Sequence, residues 1–361
     1  MSSASRFRCR SRRCIRRSST TSSSSEPGPS FWSRVRGFFG RLFRRPPPEP
    51  GRFETGSKFS WHGRVSVAPW VWPSREYLVY VPRGHSRWQR RPLLVLLHGC
   101  KQTPEEIAGG SRITAWADAR DWLILLPRQA KQANAWGCWN WFDHRTADGK
   151  GEAAIVAAQV RAVRRLYRAH PRRVFVAGMS SGACLAAVLG LRFAKLFAAV
   201  GAHSGVACGA AASPASALRV LATGADADVA AIALEARART SPRALPLPLC
   251  VIHGERDNFV AVRNALELVH QFLLFNGYPL AADGDRAGIP AADSSATTTP
   301  AGGRTMTTAD YRVAGRLVVR LVRVSGLGHA WSGGDGVFAY NDPQPPDATA
   351  LFGEFFAQLS R

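Results

Sequence analysis

The residues Gly178-Met179-Ser180-Ser181-Gly182 constrain this chain more than any other stretch, because of what lies on either side of them. Val174-Phe175-Val176-Ala177 before them reads as a buried strand, and Ala183 to Leu191 after them as a helix. The pattern G-x-S-x-G recurs by chance and carries little weight alone. Between a strand and a helix it marks a sharp turn that holds a serine in a strained conformation and presents its hydroxyl at a helix N-terminus. Gly178 and Gly182 then have a steric reason to be glycine. The bland alternative is an ordinary glycine-rich turn.

The surroundings extend that pattern. Lys58 to Val67 and Glu76 to Val81 read as two leading strands. Leu93 to Leu97, Trp122 to Leu126, Phe197 to Ala202 and Leu247 to Ile252 are short, nearly continuous apolar runs of the kind a strand buried on both faces shows. Helical stretches at Thr103 to Arg120, Gly151 to Ala169, Gly182 to Lys195 and Val262 to Phe275 alternate with them. Such alternation predicts α/β architecture, a mostly parallel sheet with helices on both faces. Asp310 to Val324 reads as a hairpin closing the sheet and Ala348 to Leu359 as a terminal helix. Gly205 to Pro246, alanine-rich and weakly periodic, lies where a lid could be inserted. Residues 283–304, polar and rich in Thr and Gly, read as a flexible surface loop.

The chain has 361 residues, enough for one large α/β domain with appendages, and its 46% apolar content is that of a globular protein. The net charge of +23 would ordinarily suggest an anionic partner, but its distribution argues otherwise. Residues 1–50 hold twelve arginines against Glu26 and Glu49, while the arginines between Arg161 and Arg173 read as a solvated helix face and the turn after it. Nucleic acid is therefore not an expected partner. Residues 1–30 read as a disordered basic arm. Residues 31–45 space their apolar residues helically among arginines, a short basic amphipathic helix that suits either an anionic membrane surface or the body of the protein. Residues 51–361 are taken as the catalytic domain.

No apolar run approaches the roughly 18 to 20 residues that cross a bilayer, and the start of the chain has no apolar signal region. The seven cysteines show no CxxC or other metal-ligand spacing, so no metal is expected. A disulfide between Cys100 and Cys138 stays open at this level. No organic cofactor is expected either.

A serine hydroxyl is a poor nucleophile, so Ser180 needs a base and an acid to orient that base. In the α/β-hydrolase fold their chain order is serine, acid, histidine. His329 follows the last expected strand in a glycine-rich stretch, whereas His62, His85, His98, His144 and His170 precede the serine and His203 follows it too closely. His253 ends a strand, and His270 lies within a helix. For the acid, Asp257 lies on a loop at the carboxyl end of a buried strand, where sites in open parallel sheets form, with Glu255 as its rival. Two donors must also face the oxyanion. The N–H groups of Ser181 and Cys100 are the candidates, and His98 is expected to fix the loop carrying Cys100.

Several segments together resemble the polyhydroxybutyrate depolymerase family of esterases, the LpqC-like group. They are Leu97-His98-Gly99-Cys100, Cys138-Trp139-Asn140-Trp141-Phe142, Gly178 to Gly182, His203-Ser204-Gly205, His253-Gly254 through Asp257, and Gly328-His329-Ala330-Trp331-Ser332-Gly333-Gly334. The resemblance spans roughly residues 75 to 340. It implies an exported serine esterase acting on poly(3-hydroxybutyrate), its oligomers or related short esters, with feruloyl and acetyl-xylan esters as the alternative. It supports Ser180, Asp257 and His329 as the triad. It also suggests that Trp331, Trp139 and Trp141 line the substrate cleft, although an indole is equally at home in a core. A non-enzymatic reading makes the basic arm a tether on an inert hydrolase-like body, and the ordered triad is what speaks against it.

Overall fold

A computed structural model describes residues 51–59, 74–86, 88–279 and 289–359. The basic arm and the amphipathic helix expected at 31–45 lie outside the described residues.

In chain order the main elements are β1 (Arg52–Phe59), β2 (Ser74–Val81), β3 (Leu93–Leu97), α1 (Pro104–Gly110), α2 (Ile113–Arg120), β4 (Leu123–Pro127), α3 (His144–Ala147), α4 (Gly151–Leu166), β5 (Val174–Met179), α5 (Ser181–Arg192) and β6 (Ala199–His203). There follow α6 (Pro214–Thr223), α7 (Val229–Arg239), β7 (Leu249–Gly254), α8 (Val262–Asn276), β8 (Ser294–Thr298), β9 (Met306–Val313), β10 (Arg316–Val324) and α9 (Ala348–Gln358). Among the described residues ten strands form one sheet in the order β1-β2-β4-β3-β5-β6-β7-β10-β9-β8. The run from β4 to β10 is parallel, and antiparallel strands extend it on both sides.

The apolar runs explain the layering. Successive side chains of a strand point to opposite faces. Leu93, Val95 and Leu97 of β3 therefore pack on one side with Val156 and Val160 of α4, Leu185 of α5 and Phe272 of α8. Leu94 and Leu96 pack on the other with Trp116 of α2 and Phe355 and Phe356 of α9. Both faces are covered, so the central strands need no polar side, and the fold is that of an α/β-hydrolase.

Three expectations are corrected, and a fourth segment gains definition. The leading strand is already formed at Arg52, six residues before the expected start at Lys58; residues 60–67 of the expected strand lie outside the described residues. The helix expected from Thr103 to Arg120 is two helices, broken where Arg112 takes a left-handed φ of 55°. Thr103 caps the first of them with Glu106 in a capping box. Residues 205–246, where a lid was expected to be possible, contain α6 and α7, with Gln271 of α8 bonded to Cys208 and Val229. Finally, the segment expected as a loop at 283–304 contains β8, which pairs antiparallel with β9.

Candidate active site

The parallel strands all deliver their carboxyl ends to one edge, and the candidate triad and oxyanion residues are carried there by four of them, β3, β5, β7 and β10. Ser180 follows β5 directly, with φ 55° and ψ −122°, a conformation that costs an L-residue about 1–3 kcal/mol. The turn has room for nothing larger at its flanks: a Cβ on Gly178 would collide with the Gly182 backbone, and one on Gly182 with the Leu97 and His98 carbonyls. The Ser180 N–H donates to the His203 carbonyl at 2.9 Å, and its carbonyl accepts from Cys184 N–H at 3.0 Å. The serine is thus locked between β6 and the first turn of α5.

Asp257 follows β7 and His329 follows β10. The two loops are drawn together by the Arg256 N–H, which donates to the Leu327 carbonyl at 2.9 Å. Asp257 Oδ2 lies 2.8 Å from His329 Nδ1. Its Oδ1 accepts from the N–H groups of Phe259 at 3.0 Å and Val260 at 2.8 Å, and the nearby Ser204 hydroxyl also favours the charged carboxylate. Burial works against the charge. His329, the Val260 amide and Ser204 outweigh it and hold the carboxyl down at about 2. The rival Glu255 turns away to Arg323, 3.8 Å distant.

Two further histidines crowd the same carboxylate. His253 is 3.8 Å from Asp257 Oδ2, and its Nε2 pairs with the Val260 carbonyl at 2.8 Å. His203 stacks on Trp331, with ring centroids 5.3 Å apart. Burial, and then the neighbouring His253 and His329, push His203 down to about 3. His253 is lowered too, again chiefly by burial. At neutral pH they are uncharged wedges.

His98 behaves as expected of a residue that fixes its loop. Its Nε2 accepts from Gln129 N–H at 3.1 Å, which leaves Nδ1 to donate to the Gly99 carbonyl at 2.8 Å. Burial lowers it to about 4. In that loop Gly99 N–H donates to Gln102 Oε1 at 2.9 Å and Lys101 N–H to the Trp136 carbonyl at 2.7 Å. The Cys100 N–H between them has no acceptor among the described residues, and neither has that of Ser181 at the start of α5. A disulfide joins Cys100 to Cys138 and ties this loop to the one carrying Trp136.

Ser180, His329, Gly99 and Cys100 open on one pocket of about 270 Å³. Its other walls are mainly apolar: Trp136, Phe259 and Tyr340, with Leu218 and Leu221 from α6. The three tryptophans expected in the cleft are not there. Trp139 is fully buried, and its Nε1 donates to the His98 carbonyl at 3.0 Å. Trp141 is buried in the same core. Asn140 between them donates to buried Glu152 at 2.7 Å through its backbone and 2.9 Å through its side chain. The Cys-Trp-Asn-Trp-Phe run therefore braces the loop of Cys100 from behind. Trp331 is buried against Phe352, its Nε1 bonded to Thr349 Oγ1 at 3.1 Å. Its indole anchors the stretch after His329 instead of meeting substrate.

The buried histidines have a consequence for stability. In the unfolded chain they protonate near 6.5, whereas in the fold His98 holds off until about 4 and His203 until about 3. Below pH 6.5 the unfolded state binds protons that the native state refuses, so stability falls as pH drops. Each such proton costs about 1.4 kcal/mol per pH unit. Above that range both states are neutral and the contribution vanishes. Asp257, depressed from 3.8 to about 2, adds a loss of the same sign as pH falls below about 4. Thermal melts are expected to be flat from pH 7 to 8 and to drop steeply between pH 6.5 and 4. A melting temperature unchanged down to pH 4.5 would contradict these burials.

The family model described as Esterase PHB depolymerase matches residues 75–294. Poly(3-hydroxyalkanoate) depolymerase C of Paucimonas lemoignei is 32% identical over 202 residues, covering 55% of this chain and 48% of that protein. Feruloyl esterase B of Neurospora crassa is 31% identical over 115 residues, 32% of this chain and 39% of that one. The chain spans less than half the length of these curated relatives. Among solved structures, acetyl xylan esterase from Aspergillus awamori superposes with a TM-score of 0.60 at 21% identity, over 76% of this chain and 94% of that one. An S-formylglutathione hydrolase from Agrobacterium tumefaciens gives a TM-score of 0.50 at 13% identity, over 86% and 95%. These two likenesses concern the fold alone. With the family model spanning 220 residues around the elbow and the loop of Asp257, the chain belongs to the Esterase PHB depolymerase family.

Proposed function

We propose that the protein hydrolyses carboxylic esters through an acyl-enzyme on Ser180. One observation carries the reading: Ser180 and His329 open on one pocket, His329 is bonded from behind to a buried, ionised Asp257, and the unengaged N–H groups of Cys100 and Ser181 flank the serine. His329 takes the Ser180 proton as the oxygen attacks the ester carbonyl, then delivers it to the leaving alcohol. The carbonyl oxygen, negative in the tetrahedral intermediate, is held by the two N–H groups at the positive end of α5. Water activated by the same imidazole then releases the acid.

The mainly apolar pocket of about 270 Å³ suits a short hydroxyacyl unit, and the similarity to a poly(3-hydroxyalkanoate) depolymerase favours esters of hydroxyacids. The aromatic rings of Trp136, Phe259 and Tyr340 give a feruloyl ester a second claim on it. A fluorophosphonate probe should label one residue, Ser180, and hydrolysis of p-nitrophenyl butyrate should disappear in step with labelling. A label mapped elsewhere, or full hydrolysis after complete labelling of Ser180, would overturn the proposal.

A further inference from the structure

The pocket holds one group that hydrolysis of a neutral ester does not require. Lys101 lines it, and among the described residues no carboxylate does. Its ammonium lies 4.9 Å from the centroid of the Trp136 ring and forms no ion pair among the described residues. The root of this side chain is held in place on three counts. Its backbone takes a left-handed φ of 57°, its N–H is bonded to the Trp136 carbonyl at 2.7 Å, and Cys100 before it is tied to Cys138. A left-handed lysine is strained where a glycine would not be, so the fold sustains a cost to place this residue at the mouth.

Lys101 also directly follows Cys100, whose N–H is one of the two donors proposed for the oxyanion. Its backbone therefore adjoins the reacting carbonyl's own site, and its ammonium, over the Trp136 ring, belongs to the otherwise largely apolar lining of the same pocket. Such a wall with a single cation at its rim matches an amphiphilic ester that carries its own negative charge a few bonds from the scissile bond. The Trp136 face, itself part of the pocket lining, holds the ammonium without neutralising it, since a ring quadrupole attracts a cation but leaves its charge available to a carboxylate.

Resting on the ester-hydrolase reading above, we infer that Lys101 selects substrates with a free carboxylate, so that the preferred substrate is the acid-terminated end of a short hydroxyacid oligomer and not a neutral ester. Each cleavage of such an oligomer leaves a new carboxylate on the acyl fragment and a hydroxyl on the other. The shortened chain thus keeps the charge that Lys101 recognises.

The test compares, in the full chain, kcat/KM for a linear 3-hydroxybutyrate trimer as free acid and as methyl ester, with p-nitrophenyl butyrate as a neutral control. Wild type is expected to prefer the acid by about tenfold, expressed in KM, the size of one charge-assisted contact. Lys101→Met should collapse that ratio about tenfold whatever it does to the overall rate, and Lys101→Arg should retain it. A merely structural role for Lys101 would move both trimers together. A wild-type ratio near one, a ratio unchanged in Lys101→Met, or no cleavage of either trimer while p-nitrophenyl butyrate is hydrolysed would overturn the assignment to Lys101. Failure to hydrolyse any of the three esters would instead overturn the ester-hydrolase reading beneath it.

Discussion

Ser180→Ala is expected to lower kcat for p-nitrophenyl butyrate by about 10⁶-fold, the loss that removing a nucleophile produces where a serine and a histidine act as a unit. The residual rate would come from the Cys100 and Ser181 donors, which alanine leaves in place. Alanine at φ 55° is as strained as serine, so the melting temperature should stay close to that of wild type. Ser180→Gly separates the two roles of the position. Glycine relieves a strain of about 1–3 kcal/mol but gains up to about 1 kcal/mol of freedom in the unfolded chain. The net expectation is a protein stabilised by about 1 kcal/mol and equally inactive. Denaturant melts of the three proteins, beside their rates, would show whether the elbow stores strain for function. A Ser180→Ala protein retaining a tenth of wild-type activity would remove Ser180 from the mechanism.

The parts of this site that were legible in the sequence are those governed by periodicity and chain order. Buried strands announce themselves as apolar runs, and in a parallel sheet their carboxyl ends converge, so Ser180, Asp257 and His329 could be placed together from their positions alone. The tryptophans could not. Trp136 and Trp139 lie three residues apart in one irregular loop, yet Trp136 is 63% exposed at the pocket and Trp139 is fully buried. No repeat links position to direction in such a loop, and an indole serves either environment. β8 was illegible for a related reason: all five of its residues are exposed, so it has no apolar alternation to read. Its pairing rests on backbone bonds to β9 and on contacts such as Thr297 to Thr307 at 3.3 Å. The threonines of the stretch were the available signal.

Backbone strain was equally hidden. Lys101, Ser180, Ser204 and Tyr340 all have φ between 53° and 60°, and all four lie at the site. None is a glycine or an asparagine, the residues whose presence would have suggested a left-handed turn. Their clustering is the pattern expected where tertiary packing sustains local cost for function. Leu218 and Leu221 of α6 reach the pocket from the segment whose weak periodicity left its elements unassigned.

Asp257→Asn should lower kcat by about 10⁴-fold although it changes one atom, and the hydrogen bonds around the carboxylate say why. Oδ1 accepts from the N–H groups of both Phe259 and Val260, so an asparagine must put its oxygen there. Its amide NH₂ then occupies the position of Oδ2 and faces His329 Nδ1. Two donors cannot share that bond, so the imidazole moves its proton to Nε2, the nitrogen that must accept the Ser180 proton. The base is present, correctly placed and in the wrong tautomer. Substrate binding, which depends on the pocket walls, should change far less than kcat. Nitrogen NMR of His329 would report the tautomer directly, Nδ1–H in wild type and Nε2–H in the variant. The reverse flip, amide toward Val260, would leave two N–H groups facing an NH₂ in a buried site and cost about 1–3 kcal/mol for each orphaned donor. Retention of kcat within tenfold, with His329 still protonated on Nδ1, would show that Asp257 does not orient the base, and with Glu255 turned toward Arg323 the site would lack an acid.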